Sequence, residues 1–179
     1  MTPAALVDRL ADATIGETFN FYREGAGSEL RRARLRGHLE ARADAPLVLV
    51  GEAAGYRGAR VSGVPFTSER QLSGSGPAEA TATIVQRTLG ELGIAEDVLL
   101  WNVVPTHPHL DGDPASNRRP TRREVEAGRP FLEELVGGRR VVAVGRLAHA
   151  VLGGTYVRHP SHGGTGGFRL GLSAALGQN

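Results

Sequence analysis

The sequence contains no cysteine and no lysine, so all 21 basic side chains are arginines. Without cysteine the chain can form no disulfide, thiolate nucleophile, or cysteine-ligated zinc site or iron–sulfur cluster. Without lysine no side-chain amine is available for a Schiff base, which leaves only the N-terminal amine for imine chemistry. A GC-rich coding bias accounts for the use of arginine alone.

Long apolar runs are absent too, because no segment approaches the roughly 18 consecutive apolar residues of a membrane span. The first five residues lack the basic and apolar regions of a secretory signal peptide. With 40% apolar and 22% charged residues, the composition is that of an ordinary globular protein. We therefore expect one domain over residues 1–179, in the cytoplasm and without a membrane partner.

Apolar segments predict buried strands at 47–50, 99–104, 140–144 and 155–158. Helical periodicity and capping signals predict helices that alternate with them, at 4–13, 28–43, 77–92, 121–136, 146–152 and 168–176. Leu30, Leu35 and Leu39 are expected on the apolar side of the second helix, and Tyr22 and Tyr156 in the core. The alternation predicts a three-layer α/β/α fold around a central, mostly parallel four-stranded sheet.

Polar loops follow three of these strands, and they carry a carboxylate, an amide and an imidazole. Glu52 lies in the segment 51–56, Asn102 ends the second strand, and His159 lies in the segment 158–164. Ligands of open α/β sheets bind at the carboxyl ends of the strands. The three side chains are therefore predicted to converge on one cleft.

No cofactor or metal motif accompanies these loops. The segment 51–55 matches neither GxxxxGK[ST] nor GxGxxG, and no HExxH is present. His107 and His109 lack further ligands nearby, which favours a structural role in their loop. We therefore expect no cofactor and no metal. Two arginine clusters, at 31–36 and 118–123, are suited either to phosphate contacts or to a solvated surface.

Four segments follow one another in an informative order: Gly-Glu-Ala-Ala-Gly at 51–55, Gly-Val-Pro-Phe at 63–66, Leu-Leu-Trp-Asn at 99–102 and His-Pro-Ser at 159–161. Each is weak alone, but together they resemble the uracil-DNA glycosylase superfamily over about residues 46–165. A fifth segment, Asn117–Thr121 followed by Glu124 and Gly128–Leu132, is similar to the iron–sulfur branch. That branch places cysteines at Gly128 and near Thr106. Because both are absent, we expect packing of Trp101 or of the aromatic patch 19–22 to replace the cluster.

The resemblance also implies a role for each site residue. Glu52 would activate water, His159 would stabilise the departing base, and Phe66 would stack on it. Asn102 would read uracil, with Gly51, Ala53, Gly55 and Tyr56 lining the same pocket. DNA contacts would come from Ser161, His162, Gly163, Arg118 and Arg119.

One departure from the family concerns selectivity. Many branches have tyrosine where Gly55 stands, which excludes the methyl group of thymine. Glycine cannot do this, so selection against thymine must either come from another residue, for which Tyr56 is the candidate, or be loose.

These assignments predict a bacterial, monofunctional and monomeric glycosylase that hydrolyses uracil from single- or double-stranded DNA. Without lysine the reaction should stop at the abasic site. Two alternatives stay open: a glycosylase for another deaminated base such as hypoxanthine, and a non-catalytic binder of uracil or abasic DNA. Among single residues, Asn102 could instead cap its loop, Phe66 could be core, and Glu52 could pair with Arg57, Arg60 or Arg70.

Overall fold

The computed structural model describes residues 2–177, which form four strands and eight helices. The strands are β1 (Leu47–Ala53), β2 (Val98–Val104), β3 (Arg140–Val144) and β4 (Thr155–Val157). The helices are α1 (Pro3–Asp12), α2 (Ser28–Ala41), α3 (Ala59–Ser62), α4 (Glu69–Ser73), α5 (Ala80–Glu91), α6 (Arg122–Val136), α7 (Arg146–Leu152) and α8 (Thr165–Ala175). Within this range no helix is long and apolar enough to cross a membrane.

The strands form one sheet in the order β2-β1-β3-β4, and every neighbouring pair is parallel. Leu47 lies opposite Val98 on one side and Arg140 on the other, which sets the register of the central strands. All seven residues of β2 are buried. A strand that is covered on both faces is apolar along most of its length, as β1 and β2 are.

Helices cover both faces of the sheet, which confirms the predicted α/β/α architecture. Trp101 and its alternate neighbours face one core, built with α1, α2, α6 and α7. Leu100 and its alternate neighbours face the second core, built with α5 and α8. Because all four strands are parallel, their carboxyl ends and the loops that follow lie at one edge.

Several local predictions were wrong. Leu30 is 54% exposed, because α2 buries the stripe of Leu35, His38 and Leu39, and Leu30 lies on the opposite side. Tyr156 is 45% exposed on the short edge strand β4. The helix expected from residue 77 begins at Ala80, and two short helices, α3 and α4, interrupt the long loop after β1.

The region that holds the cluster cysteines in the iron–sulfur branch is filled in another way. A Cβ atom on Gly128 would lie 2.5 Å from the carbonyl oxygen of Val103, so α6 packs too closely on β2 for any side chain there. The hydroxyls of Thr106 and Thr18 lie 2.5 Å apart. Trp101 is fully buried in the core. An ion pair between Arg118 and Glu124 ties the loop before α6 to that helix. The sequence analysis did not predict this pair.

Candidate active site

A cleft of about 650 Å³ opens at the carboxyl edge of the sheet, and we call it the carboxyl-edge cleft. It brings together most of the predicted site residues, namely Glu52, Ala53, Gly55, Phe66, Asn102, Arg118, Arg119, His159, Ser161 and His162. These residues come from loops and strand ends spread over more than a hundred positions of the chain. The parallel sheet is what makes them neighbours.

Asn102 and Phe66 form the floor of the cleft. Asn102 lies on β2 opposite Gly51 of β1 and is 4% exposed. A Cβ atom on Gly51 would lie 2.5 Å from the Phe66 ring and 2.7 Å from Oδ1 of Asn102. Glycine at position 51 therefore allows the ring and the amide to meet across the strand. No hydrogen bond within residues 2–177 engages the Asn102 amide, which leaves it available to a ligand.

Phe66 has a backbone conformation that is unusual for its residue type. Its φ is +51°, in the left-handed region that non-glycine residues rarely adopt. Neighbouring helices hold it there, since Gln86 Nε2 of α5 donates to the Phe66 carbonyl at 3.1 Å and the Ser62 hydroxyl at the end of α3 donates to the Thr67 carbonyl at 2.6 Å. Strain of this kind persists where neighbouring contacts enforce it, and it often marks functional sites.

His159 follows β4, and its hydrogen bonds define its tautomer. The backbone N–H of Ser161 donates to Nδ1 at 3.2 Å, and the Ser161 hydroxyl lies 2.8 Å from the same atom. Nδ1 is therefore an acceptor, and the neutral ring carries its proton on Nε2. Burial, aided by the charge of His162, lowers the pKa of His159. The ring is thus a neutral donor at neutral pH.

Glu52 lies near the end of β1 and is half-buried. Burial raises the pKa of Glu52, and the positive charge of Arg119 partly offsets this effect. The arginines considered as its partners from sequence lie elsewhere. Arg57, Arg60 and Arg70 line a separate cleft of about 600 Å³, away from Glu52.

Three predicted site residues do not line the carboxyl-edge cleft. Gly51 lies beneath Phe66 and Asn102. Tyr56 turns into the arginine-lined cleft, where Arg60 stacks on its ring at 4.7 Å, and its backbone N–H donates to Asn117 Oδ1 at 2.8 Å. Gly163 lies beyond His162 in the loop before α8, and both have positive φ.

The arginine clusters are mostly engaged inside the protein. Arg31 and Arg32 donate to backbone carbonyls of the segment 21–26, and Arg34 pairs with Glu69 through both nitrogens. Arg118 makes a two-pronged pair with Glu124, at 2.8 and 2.6 Å. Arg119 is exposed, and its guanidinium has no hydrogen-bond or ion-pair partner among residues 2–177. Unlike the four arginines just described, it therefore remains available to a phosphate.

The sequence analysis missed two side chains in the cleft, Glu79 and Arg146. Glu79 immediately precedes α5, and Arg146 begins α7. Neither belongs to a recognisable motif. His107, for which the sequence favoured a structural role, is fully buried, and its Nδ1 lies 2.9 Å from the Ala54 carbonyl, where it fixes the loop after Glu52. Within residues 2–177 no group of three or more His, Asp or Glu side chains is arranged to hold a metal ion.

The cleft combines a carboxylic acid, an amide, an aromatic ring and a neutral imidazole. Such a site is suited to hold a flat polar ring and to hydrolyse the bond that attaches the ring to the rest of its molecule. Residues 39–173 match the model of the uracil DNA glycosylase superfamily, and the chain belongs to this superfamily. Membership in this superfamily makes the protein a DNA glycosylase, a hydrolase of DNA repair, and confirms the resemblance seen in the motifs.

Among solved structures, the chain is similar to wild-type SMUG2 from Pedobacter heparinus, with a TM-score of 0.67 and 12% sequence identity. The match covers 99% of this chain and 97% of that protein, so the likeness of fold extends over the whole length. No curated protein matches the sequence.

Proposed function

We propose that this DNA glycosylase hydrolyses the N-glycosidic bond of uracil in DNA and leaves an abasic site. The observation that carries the proposal is the unengaged amide of Asn102 beside the Phe66 ring in the cleft. One amide both donates and accepts, which suits the O4 and N3–H of uracil. Cytosine reverses this pattern, which leaves buried groups unpaired at a cost of about 1–3 kcal/mol each.

Departure of the base is assisted by His159. When the bond between C1′ and N1 breaks, its electron pair moves onto uracil and negative charge develops on O2. The Nε2–H of His159 is the donor for that oxygen, because Nδ1 already accepts from Ser161. A donor that is fixed before the reaction stabilises the developing charge without reorganisation.

Addition of water is assigned to Glu52. As the base leaves, the sugar becomes oxocarbenium-like, and a nearby carboxylate stabilises it. The water oxygen then bonds to C1′ while its proton passes to Glu52. A raised pKa of Glu52 makes the carboxylate a better base once it is ionised.

Contact with DNA is assigned to Arg119 and to the loop of Ser161, His162 and Gly163, on single or double strands. Extrusion of the target nucleotide costs a few kcal/mol, which contacts to the flanking backbone must offset. Arg119 is suited to this because its guanidinium is exposed and forms no hydrogen bond or ion pair with residues 2–177. The glycine that follows His162 lets this loop approach a strand closely.

The test is uracil release from single-stranded, U·A and U·G oligonucleotides under single-turnover conditions. We expect wild type to release uracil, and Asn102→Ala and His159→Ala to lower the rate by a factor on the order of 10² or more. His149→Ala is the control, because His149 is an exposed histidine of α7 outside the cleft. Equal rates for all four proteins would rule out the assigned roles.

Two further substrates separate the alternatives. A hypoxanthine-containing duplex tests whether another deaminated base is preferred. Binding of abasic DNA without release of any base would identify a non-catalytic binder, and would overturn the chemistry assigned to Glu52 and His159.

A further inference from the structure

Glu79 is a carboxylate in the cleft that the proposed mechanism does not use. It immediately precedes α5 and lines the cleft beside Gly55. A Cβ atom built on Gly55 would overlap one carboxylate oxygen of Glu79, and a Cβ atom built on Gly58 would overlap the other. The carboxylate therefore occupies the space that a side chain at either glycine would fill.

The structure places no counter-charge against this carboxylate in the part of the chain that it describes. Among residues 2–177 no arginine or histidine pairs with it, and burial raises the pKa of Glu79 with nothing to oppose the shift. A buried acid without a partner lowers the stability of the folded state. Such a group at the wall of a cleft is more consistent with a role toward a ligand than with a structural role.

A pyrimidine bound as proposed has one edge left for this wall. Phe66 covers a face of the ring, Asn102 pairs with N3–H and O4, and His159 donates to O2. The remaining edge is C5–C6, which carries no polar group in uracil. The wall formed by Gly55 and Glu79 is a side of the cleft to which the mechanism assigns no contact.

We propose that Glu79 determines the selectivity of the site for uracil over thymine, an inference that rests on the proposed release of uracil. A methyl group on C5 and the Glu79 side chain compete for the same space. The methyl would also displace water from the carboxylate, whereas the hydrogen of uracil leaves it hydrated. Tyr56, the residue expected for this role from sequence, lies outside the cleft.

The experiment compares kcat/KM for U·G and T·G duplexes in wild type and in Glu79→Ala. We expect the ratio of uracil to thymine release to fall by about 10- to 200-fold in Glu79→Ala, which is the discrimination that one methyl group supports in a pocket. Glu79→Gln retains the volume of the side chain, so it should keep most of the selectivity. Glu91→Ala removes an exposed carboxylate at the far end of α5 and should leave the ratio unchanged.

A compensating variant tests the shared space directly. Gly55 has no positive φ, so a side chain is allowed at this position once Glu79 is shortened. Gly55→Tyr combined with Glu79→Ala should restore exclusion of thymine. If this double variant folds and still releases thymine as Glu79→Ala does, the shared-space argument is wrong. Should it fail to fold, the single variants decide the question.

The outcomes separate this inference from the function on which it rests. If wild type releases uracil but Glu79→Ala changes uracil and thymine release equally, Glu79 does not determine selectivity and the proposed function stands. The inference is also overturned if Glu79→Gln loses as much selectivity as Glu79→Ala. If wild type releases no uracil from any substrate, the proposed function and the inference fall together.

Discussion

Carboxylates that are wholly or partly buried in two regions of this protein have opposite electrostatic surroundings. At the start of α6, burial alone would raise the pKa of Glu124, but hydrogen bonds from Arg118 and Thr121 outweigh it and hold the pKa below its usual range. In the carboxyl-edge cleft, burial raises the pKa of both Glu52 and Glu79. All three are glutamates, and Glu124, the most deeply buried of them, is the one whose pKa is lowered, so the presence of partners makes the difference.

The comparison separates a structural acid from acids available for chemistry. Glu124 is 1% exposed and accepts hydrogen bonds from Arg118 and from the backbone N–H of Thr121, so both of its carboxylate oxygens are engaged within the protein. Glu52 and Glu79 keep acceptors free at the wall of a cleft. Glu124 joins the loop before α6 to the helix, in the region where related enzymes hold a metal cluster. The cleft acids instead have no such partners within residues 2–177 and line the cleft.

The largest expected effect follows from breaking the structural pair. Glu124→Ala leaves Arg118 partly buried without its partner, and should lower the free energy of unfolding by about 3–5 kcal/mol. Chemical denaturation measures it, with Glu126→Ala, an exposed acid of the same helix, as the control. If both variants lose the same small amount, Glu124 is not the structural acid of the comparison.

Removing the ionisable acid at the cleft should reduce the rate rather than the stability. Glu52→Gln is expected to lower the single-turnover rate of uracil release about 10²-fold, with the melting temperature unchanged or slightly higher. In wild type the rate should fall as the pH drops through the raised pKa of Glu52, because only the ionised form accepts a proton. A pH profile of Glu52→Gln that keeps this acid limb would assign the limb to another group.

Two adjacent arginines provide a matched pair for the next effect. Arg119→Ala should reduce the slope of log K for DNA binding against log salt concentration by about one, because one phosphate contact is lost. Arg118→Ala should change this slope less and lower the melting temperature more, since it leaves Glu124 buried without a partner. Equal salt slopes in the two variants would show that the ion pair does not withdraw Arg118 from DNA.

The smallest effect is a difference of sign in the pH dependence of stability. Glu79 has a raised pKa, so the folded state binds its proton more tightly and wild type loses stability as the pH rises through that range. Glu79→Gln should therefore be slightly more stable than wild type at pH 7, by an amount that shrinks toward pH 4. Glu124 has a lowered pKa, so Glu124→Gln should be less stable at pH 7, also by a shrinking amount. Denaturant titrations at both pH values measure the two differences, and the same sign for both would contradict the comparison.

Much of the fold could be predicted because its signals are local. The strand 140–144 and the helix 146–152 occur at the expected residues, and Thr121 with Glu124 forms the expected capping box. Apolar runs and caps act over a few residues, so they can be read from neighbours in the chain. Leu30 was placed wrongly because which side of a helix is buried depends on what packs against it.

The amino-acid sequence by itself determined the strands and the polar loops that follow them. It thereby determined which residues lie at one edge of the sheet. Only the tertiary structure decided which acids have partners. Glu79 meets Gly55 and Gly58 across more than twenty positions, and Arg119 reaches Glu52 across more than sixty. Charge and space in a cleft depend on side chains brought together by packing, and no local pattern records which of them will meet.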